Sequence, residues 1–186
     1  MTAQPRGHKE PRAEVVDFWR EAGPARWFQK DTAFDLRFSE RFMPQHLAAA
    51  RRELDGWAHS PDGALALLIL LDQFPRNAFR GTAHMYATDA LARHFAAAMI
   101  AAGFDQRIEP ALRVFCYLPF EHSECLADQE RSVSLHAGLD PSVSRYALDH
   151  HRIIARFGRF PHRNPLLGRD TTPAEQDFLD QGGFAG

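Results

Sequence analysis

From Ala64 to Leu71 the chain is apolar at every position, and it then closes on a dense polar set: Asp72, Gln73, Arg76, Asn77 and Arg80, within the phrase LLDQFPRNAFRG (Leu70–Gly81). A helical segment with no polar face has to be covered on all sides. That requirement constrains the fold most, because the remaining elements must surround this one. Polar groups attached to so buried a segment either cost stability or serve a purpose. A second phrase of the same kind, Phe160-Pro161-His162-Arg163-Asn164, stands near the C-terminus. The apolar run falls far short of the roughly 20 residues a membrane-spanning helix needs.

Around this run the pattern is helical nearly throughout. Pro11–Ala22 carries Val15, Val16, Phe18 and Trp19, and Phe34, Phe38 and Phe42 recur on one helix face. Pro44 is expected to open a further helix with the stripe Leu47, Ala50, Leu54 and Trp57. Pro61 opens the buried helix, expected to run to about Phe74 and to end or bend at Phe74-Pro75. Thr88 or Asp89 caps the next, with Leu91, Phe95, Ala98, Met99 and Ala102 inward and Gly103 at its end. Pro110 starts a short helix through Tyr117, Pro119 breaks or kinks it, and a further helix runs to about Ala137. Asp140-Pro141 opens a helix that turns Val143, Ala147, Ile154 and Phe157 inward and stops near Gly158. Thr172-Pro173 starts the last, with Phe178 and Leu179. No stretch alternates as a strand would. Short connections favour antiparallel neighbours, so the expected fold is all-α, built from stacked helix pairs without a clean sequence repeat. A polar tail, Met1–Glu10, is expected to precede a single domain over 11–186, and 186 residues suffice for one full core.

A net charge of −2 gives no general pull toward nucleic acid or membrane, and neither is expected as a partner. Met1–Pro11 has no apolar signal-peptide region. Cys116 and Cys125 sit among apolar residues expected to be helical, where a thiol acts as a small hydrophobe. With no metal-type spacing they point to a reducing, cytoplasmic setting. Lys9 and Lys30 are the only lysines; the other basic residues are arginines. Arginine favours planar, bidentate pairing with carboxylates and phosphates, although codon bias in an alanine-rich chain accounts for arginines outside the polar phrases.

Three segments carry candidate chemistry. In Asp72–Arg80, the donors of Arg76, Asn77 and Arg80 can hold a carboxylate or phosphate; equally, Arg76 and Arg80 can pair internally with Asp72 or Asp89. In Tyr117–Gln129, His122 and Gln129 flank the expected inward stripe of Leu126 and Val133, with Glu121, Glu124 and Asp128 on the other side. In Asp149–Asn164, His150 lies on the inward stripe, while Arg156, Arg159, His162 and Arg163 crowd a helix end. That cationic group either answers the helix dipole or extends the anion site. His122, Glu124, Asp128, His150, His151 and His162 are metal-ligand types. No Glu-x-x-His or His-x-x-x-His pair places them together, so no metal or cofactor is expected. There is no Gly-x-Ser-x-Gly elbow and no Walker-type phosphate loop.

The segments LLDQFPRNAFRGTAHMYATD (Leu70–Asp89), YLPFEHSECLADQERSV (Tyr117–Val133) and HHRIIARFGRFPHRNPLLGR (His150–Arg169) resemble the bacterial domain-of-unknown-function family 924. The opening VVDFWREAG and the pair Trp27-Phe28 extend the resemblance over roughly Val15 to Leu179. It implies an all-helical fold similar to tetratricopeptide-repeat proteins, and no known activity. By motif position it marks as family-typical Asp72, Gln73, Arg76, Asn77, Arg80, Asp89, His122, Ser123, Glu124, Gln129, His150, Arg156, Arg159, His162, Arg163 and Asn164.

The leading expectation is a polar pocket for a small anionic ligand. Arg76, Arg80, Arg159 and Arg163 neutralise the anion, and Asp72, Gln73, Asn77, Gln129, His150, His162 and Asn164 complete the lining. His122, with Glu124 setting its tautomer, is the candidate acid–base residue, and His150 is the alternate. The rival expectation is a helical scaffold that grips a protein or peptide on an exposed apolar face including Trp27, Phe28 or Tyr86. In a third, the polar phrases do no more than fix helix registry.

Overall fold

Residues 10–184 are described by the computed structural model; apart from Glu10, the expected N-terminal tail lies outside them. Ten α-helical segments follow in order: α1 (Pro11–Ala22), α2 (Pro24–Trp27), α3 (Thr32–Ala50), α4 (Pro61–Leu68), α5 (Phe74–Ala78), α6 (Asp89–Ala101), α7 (Leu118–Glu121), α8 (Leu126–His136), α9 (Pro141–Phe157) and α10 (Pro173–Asp180). Short 3-10 turns link several of them, and the described residues include no strand. The all-α reading of the sequence holds.

The apolar run forms the centre. Every residue from Gly63 to Gln73 is buried; α1 and α6 pack on α4, and α3 packs on Ile69–Gln73 and on α5. Backbones come very close at its start: a Cβ on Gly63 would lie 2.2 Å from the Trp57 carbonyl oxygen, so glycine is required there. The Phe34, Phe38 and Phe42 face of α3 meets Trp19 of α1 and Phe74 of α5, with Trp19–Phe38 and Phe38–Phe74 ring centroids 5.3 and 5.1 Å apart. Offset and edge-on rings at such spacing add stability beyond their buried area. A smaller apolar cluster of Ile153, Ile154 and Phe160 lies apart from this core, with Phe157 and Phe178 against it. Its members come from α9, from α10 and from Phe160 at the N-cap of the turn Pro161–Arg163; α8 and α9 pack along one another.

Several expected boundaries are corrected. Pro44 opens no helix; it lies inside α3 at an exposed position. Of the stripe drawn from it, Ala50, Leu54 and Trp57 pack against the core, but Leu47 is exposed and His46 is buried in its stead. On α6, Ala98 and Ala102 face outward, while Ala92 and Ala96 are buried with Phe95 and Met99. Arg113–Cys116 is a 3-10 turn, not the α-helix expected from Pro110. The helix expected from Pro119 to Ala137 is two helices, α7 and α8, with Cys125 exposed at the N-cap of the second. Leu126 is exposed, and the buried side of α8 is polar: Gln129, Ser132 and His136. By contrast, Asp140 caps α9 through its bond to the Ser142 amide, Gly158 closes it at a φ of 70°, and Thr172 and Glu175 form a capping box on α10.

Candidate functional site

The helix that carries Asp72 does not end at Pro75. Ile69–Gln73 is a π turn, in which the Phe74 amide bonds to the Ile69 carbonyl, and α5 then continues through Pro75. Widening the helix by one residue leaves carbonyls without their usual donors, and side chains supply them. His46 Nδ1 donates to the Leu70 carbonyl at 2.9 Å, and the Thr88 hydroxyl donates to that of Leu71, whose regular donor would be the missing Pro75 amide. Arg76 Nη1 donates to the Asp72 carbonyl at 2.7 Å, and Asn77 Nδ2 to that of Gln73 at 2.9 Å. Single π turns inside helices recur at functional sites because they re-aim side chains; here the re-aimed pair is Asp72 and Gln73.

Asp72 is the pivot. One carboxylate oxygen accepts from Gln73 Nε2 at 2.6 Å; the other lies 2.8 Å from His122 Nδ1 and 3.2 Å from Arg76 Nη1. Burial pushes this carboxyl up, but Arg76 and His122 outweigh it and hold it well below the ordinary range. Burial and the Arg76 charge keep the His122 imidazole below its ordinary value against the pull of Asp72. Facing a carboxylate, Nδ1 carries the proton, which leaves Nε2 as a base on a side chain 15% exposed. Arg76 also donates two bonds to Asp89, of 2.9 and 3.0 Å, so two carboxylates hold one guanidinium.

Arg163 stands beside this pair in a different state. Its guanidinium carbon lies over the rings of Tyr86 and Phe160, 4.5 and 4.4 Å from the centroids, on a side chain 8% exposed. It reaches Asp89 only at 3.7 Å, beyond hydrogen-bond length, and Arg76 already donates to both oxygens of that carboxylate. Arg163 Nε is buried without a hydrogen-bond partner, as is Nδ1 of neighbouring His162. Burial and the nearby Arg76 charge bring the guanidinium down to about 10, and burial with the Arg163 charge brings His162 down to about 3.

Behind His122 lies a buried acid. Glu121 sits between His136 Nε2 at 3.4 Å and His150 Nδ1 at 3.5 Å. Burial, then the charge of Asp72, pushes its carboxyl up to about 8, so it is protonated at neutral pH. His136 Nδ1 donates to the Ser132 carbonyl and His150 Nδ1 to that of Tyr146, both at 2.8 Å, so Nε2 of His136 faces Glu121 as an acceptor. Burial lowers His150 to about 4. Gln129 is a brace, donating from Nε2 to the Glu121 and Ser123 carbonyls at 2.6 Å each.

The three polar phrases therefore meet in space, though not all their members join the centre. Arg80 pairs with Asp35 at 3.1 Å, away from it. Arg159 makes two bonds to Glu175, of 2.6 and 2.8 Å, and Asn164 stands by the same carboxylate at 3.4 Å. Glu124 does not set the His122 tautomer; it accepts from the Phe160 amide and from Arg169, and Asp72 occupies the role expected of it. Trp27 is buried and donates to the Trp19 carbonyl, and Tyr86 packs on arginine, so only Phe28 of the expected apolar face is exposed. The sequence reading passed over His136, the pairing role of Glu121 and the packing of Tyr86 on Arg163. The signal for His136 was its polar register with Gln129 and Ser132 on α8. No group of three His, Cys, Asp or Glu side chains among the described residues is placed to hold a metal. A surface cleft of about 380 Å³ opens among Glu10, Arg12, Ser60, Asp62 and Arg107, and none of the predicted site residues lines it.

Comparison with known proteins agrees with the sequence resemblance. The model of a family described as bacterial protein of unknown function (DUF924) matches residues 15–183, and the chain belongs to that family. It is similar to the solved structure of a protein of unknown function, ATU0120, from Agrobacterium tumefaciens. The two share 56% sequence identity with a TM-score of 0.91, over 92% of this chain and 97% of that one. No curated protein matches the chain.

Proposed function

We propose that this protein binds a small carboxylate- or phosphate-bearing molecule at the polar centre, with Arg163 as its cation and His122 as the acid–base group. One observation carries the reading: Arg163 is a buried guanidinium whose Nε has no hydrogen-bond partner among the described residues and whose one ion pair among them, to Asp89, is long and shared. Burying a charge costs several kcal/mol unless it is paired and hydrogen-bonded, and an anion meeting the guanidinium edge supplies both. The other cations do not serve. Arg76, Arg80 and Arg159 each have a carboxylate within hydrogen-bond distance. Arg76 instead helps to fix Asp72, which holds Nδ1–H of His122 and leaves Nε2 to take or give a proton. His162 Nδ1, buried and unmet, supplies a further polar contact. The free thiols Cys116 and Cys125 fit a cytoplasmic setting, and no helix among the described residues is long and apolar enough to cross a membrane.

The test is calorimetric titration of inorganic phosphate and of acetate into the wild-type protein, Arg163→Gln and Arg163→Lys. Binding is expected to vanish in the first and weaken in the second, because lysine keeps the charge but not the planar fork. At about a hundred times its dissociation constant, the anion adds roughly 2.7 kcal/mol to wild-type stability, read as a rise in Tm. Equal binding by all three proteins, or by none, overturns the proposal.

A further inference from the structure

Beyond α10 the chain turns back on the site. The Gly182 amide bonds to the Leu179 carbonyl at 3.0 Å and that of Gly183 to the Phe178 carbonyl at 2.9 Å, and Gly182 takes a φ of 80°. Gly183 presses so closely on Phe178 that a Cβ there would lie 2.5 Å from both its ring and its carbonyl oxygen. This route delivers the Phe184 ring onto two histidines of the polar centre. Its centroid is 4.5 Å from that of His150, tilted by 59°, and 5.2 Å from that of His162, edge-on at 81°. The residue is 36% exposed, so most of an aromatic side chain from the chain's end is covered.

The two histidines that hold this ring lead to the cation through Phe160. Phe160 lies 5.4 Å from His150 and 5.7 Å from His162, and the same ring lies 4.4 Å from the Arg163 guanidinium carbon. Phe160 thus touches both the histidines that hold Phe184 and an arginine short of hydrogen bonds. Phe184 fills the slot between the two histidines with hydrocarbon alone. No hydrogen bond reaches the buried Nδ1 of His162, and Arg163 Nε stays unmet. The occupant therefore satisfies the shape of the slot and not its chemistry.

We infer that Phe184 occupies the planar-group subsite of the anion site, so that the ligand class is an aromatic anion and the C-terminal segment competes with it. This rests on the anion reading above and adds two things: the body of the ligand and the device that guards it. A planar group replaces the Phe184 ring between His150 and His162, and its carboxylate or phosphate lies against the Arg163 edge. Ring-against-ring contact is recovered on exchange, while the ion pair and the hydrogen bonds are gained.

The experiment compares four probes: inorganic phosphate, phenyl phosphate, acetate and phenylacetate. Each is titrated into wild-type protein, Phe184→Ala and Phe184→Trp. Emptying the slot is expected to tighten the two aromatic probes about tenfold, or about 1.4 kcal/mol, with the two small anions unchanged. Phe184→Trp keeps a ring in place and leaves the aromatic probes at their wild-type affinity or weaker. Gly183→Ala moves the segment off Phe178 without touching the slot, and gives the same gain should Phe184→Ala fail to fold. Phosphate or acetate binding that depends on Arg163, without an aromatic gain in either opened variant, overturns the ring subsite and leaves the anion reading standing. Absence of any Arg163-dependent binding overturns both.

Discussion

At the scale of single residues, the arginines of this protein divide by the company they keep. Arg76 is held by Asp72 and Asp89 on a side chain 15% exposed, whereas Arg80 meets Asp35 on a side chain 35% exposed. Removing one member of a buried, hydrogen-bonded ion pair strands its partners and costs about 3–5 kcal/mol, while an exposed pair contributes about 1 kcal/mol or less. Arg76→Ala is thus expected to lower the free energy of urea unfolding several times more than Arg80→Ala. Equal losses would mean that Asp72 and Asp89 find other partners and that the pivot of the site is not fixed by charge. The sequence placed both arginines in one phrase and offered Asp72 or Asp89 as partners for either; that pairing holds for Arg76, whereas Arg80 meets Asp35. It could not separate them, because the difference is burial, and burial depends on α6 returning over the helix end. The partner of His122 was out of reach for a similar reason: Glu124 stands two positions away, whereas Asp72 stands fifty away and arrives only through the packing of α7.

At the scale of elements, capping chemistry was legible and proline was not. Asp140-Pro141, Gly158 and Thr172-Pro173 fixed α9 and α10 because each signal acts within one turn of the chain. Pro44 and Pro75 misled because a helix tolerates proline on an exposed face, as at Pro44, or where the orphaned carbonyl is met by a side chain, as by Thr88 at Pro75. The buried polar face of α8 was unreadable for a third reason. Gln129 and His136 point inward because backbone carbonyls and Glu121 await them there, and those partners lie on other turns of the fold. The repair at the π turn makes a sharp expectation. Thr88→Val keeps the shape of the side chain but leaves the Leu71 carbonyl unmet inside the core, at a cost of about 1–3 kcal/mol. Thermal unfolding of this variant alongside wild type measures it. Indistinguishable stability would show that the hydroxyl is incidental and that the π turn has another support.

At the scale of the whole molecule, the polar centre joins two regions that the sequence could not bring together: the α4–α5 helix with its aromatic core, and the α8–α9 pair with the turn after it. Because this junction buries an acid and several histidines, it sets how stability responds to pH. Glu121 is pushed up to about 8 from an ordinary 4.5, chiefly by burial. Between those values the folded state keeps a proton that the unfolded chain has lost, so its contribution to stability falls as pH rises. His150, at about 4, and His162, at about 3, lie below an ordinary 6.5, again chiefly by burial. Below 6.5 the unfolded chain takes up protons that the folded state refuses, so these two erode stability as pH falls. The two effects oppose one another in mildly acidic solution, and between pH 6.5 and 8 Glu121 acts alone among them. One pKa unit corresponds to about 1.36 kcal/mol, so wild-type protein is expected to lose up to roughly 2 kcal/mol across that interval. Glu121→Gln, which cannot ionise, should lose none of it. Urea unfolding at pH 6.5, 7.2 and 8 on both proteins decides the point: converging curves place the buried proton on Glu121, and parallel curves place it elsewhere in the junction.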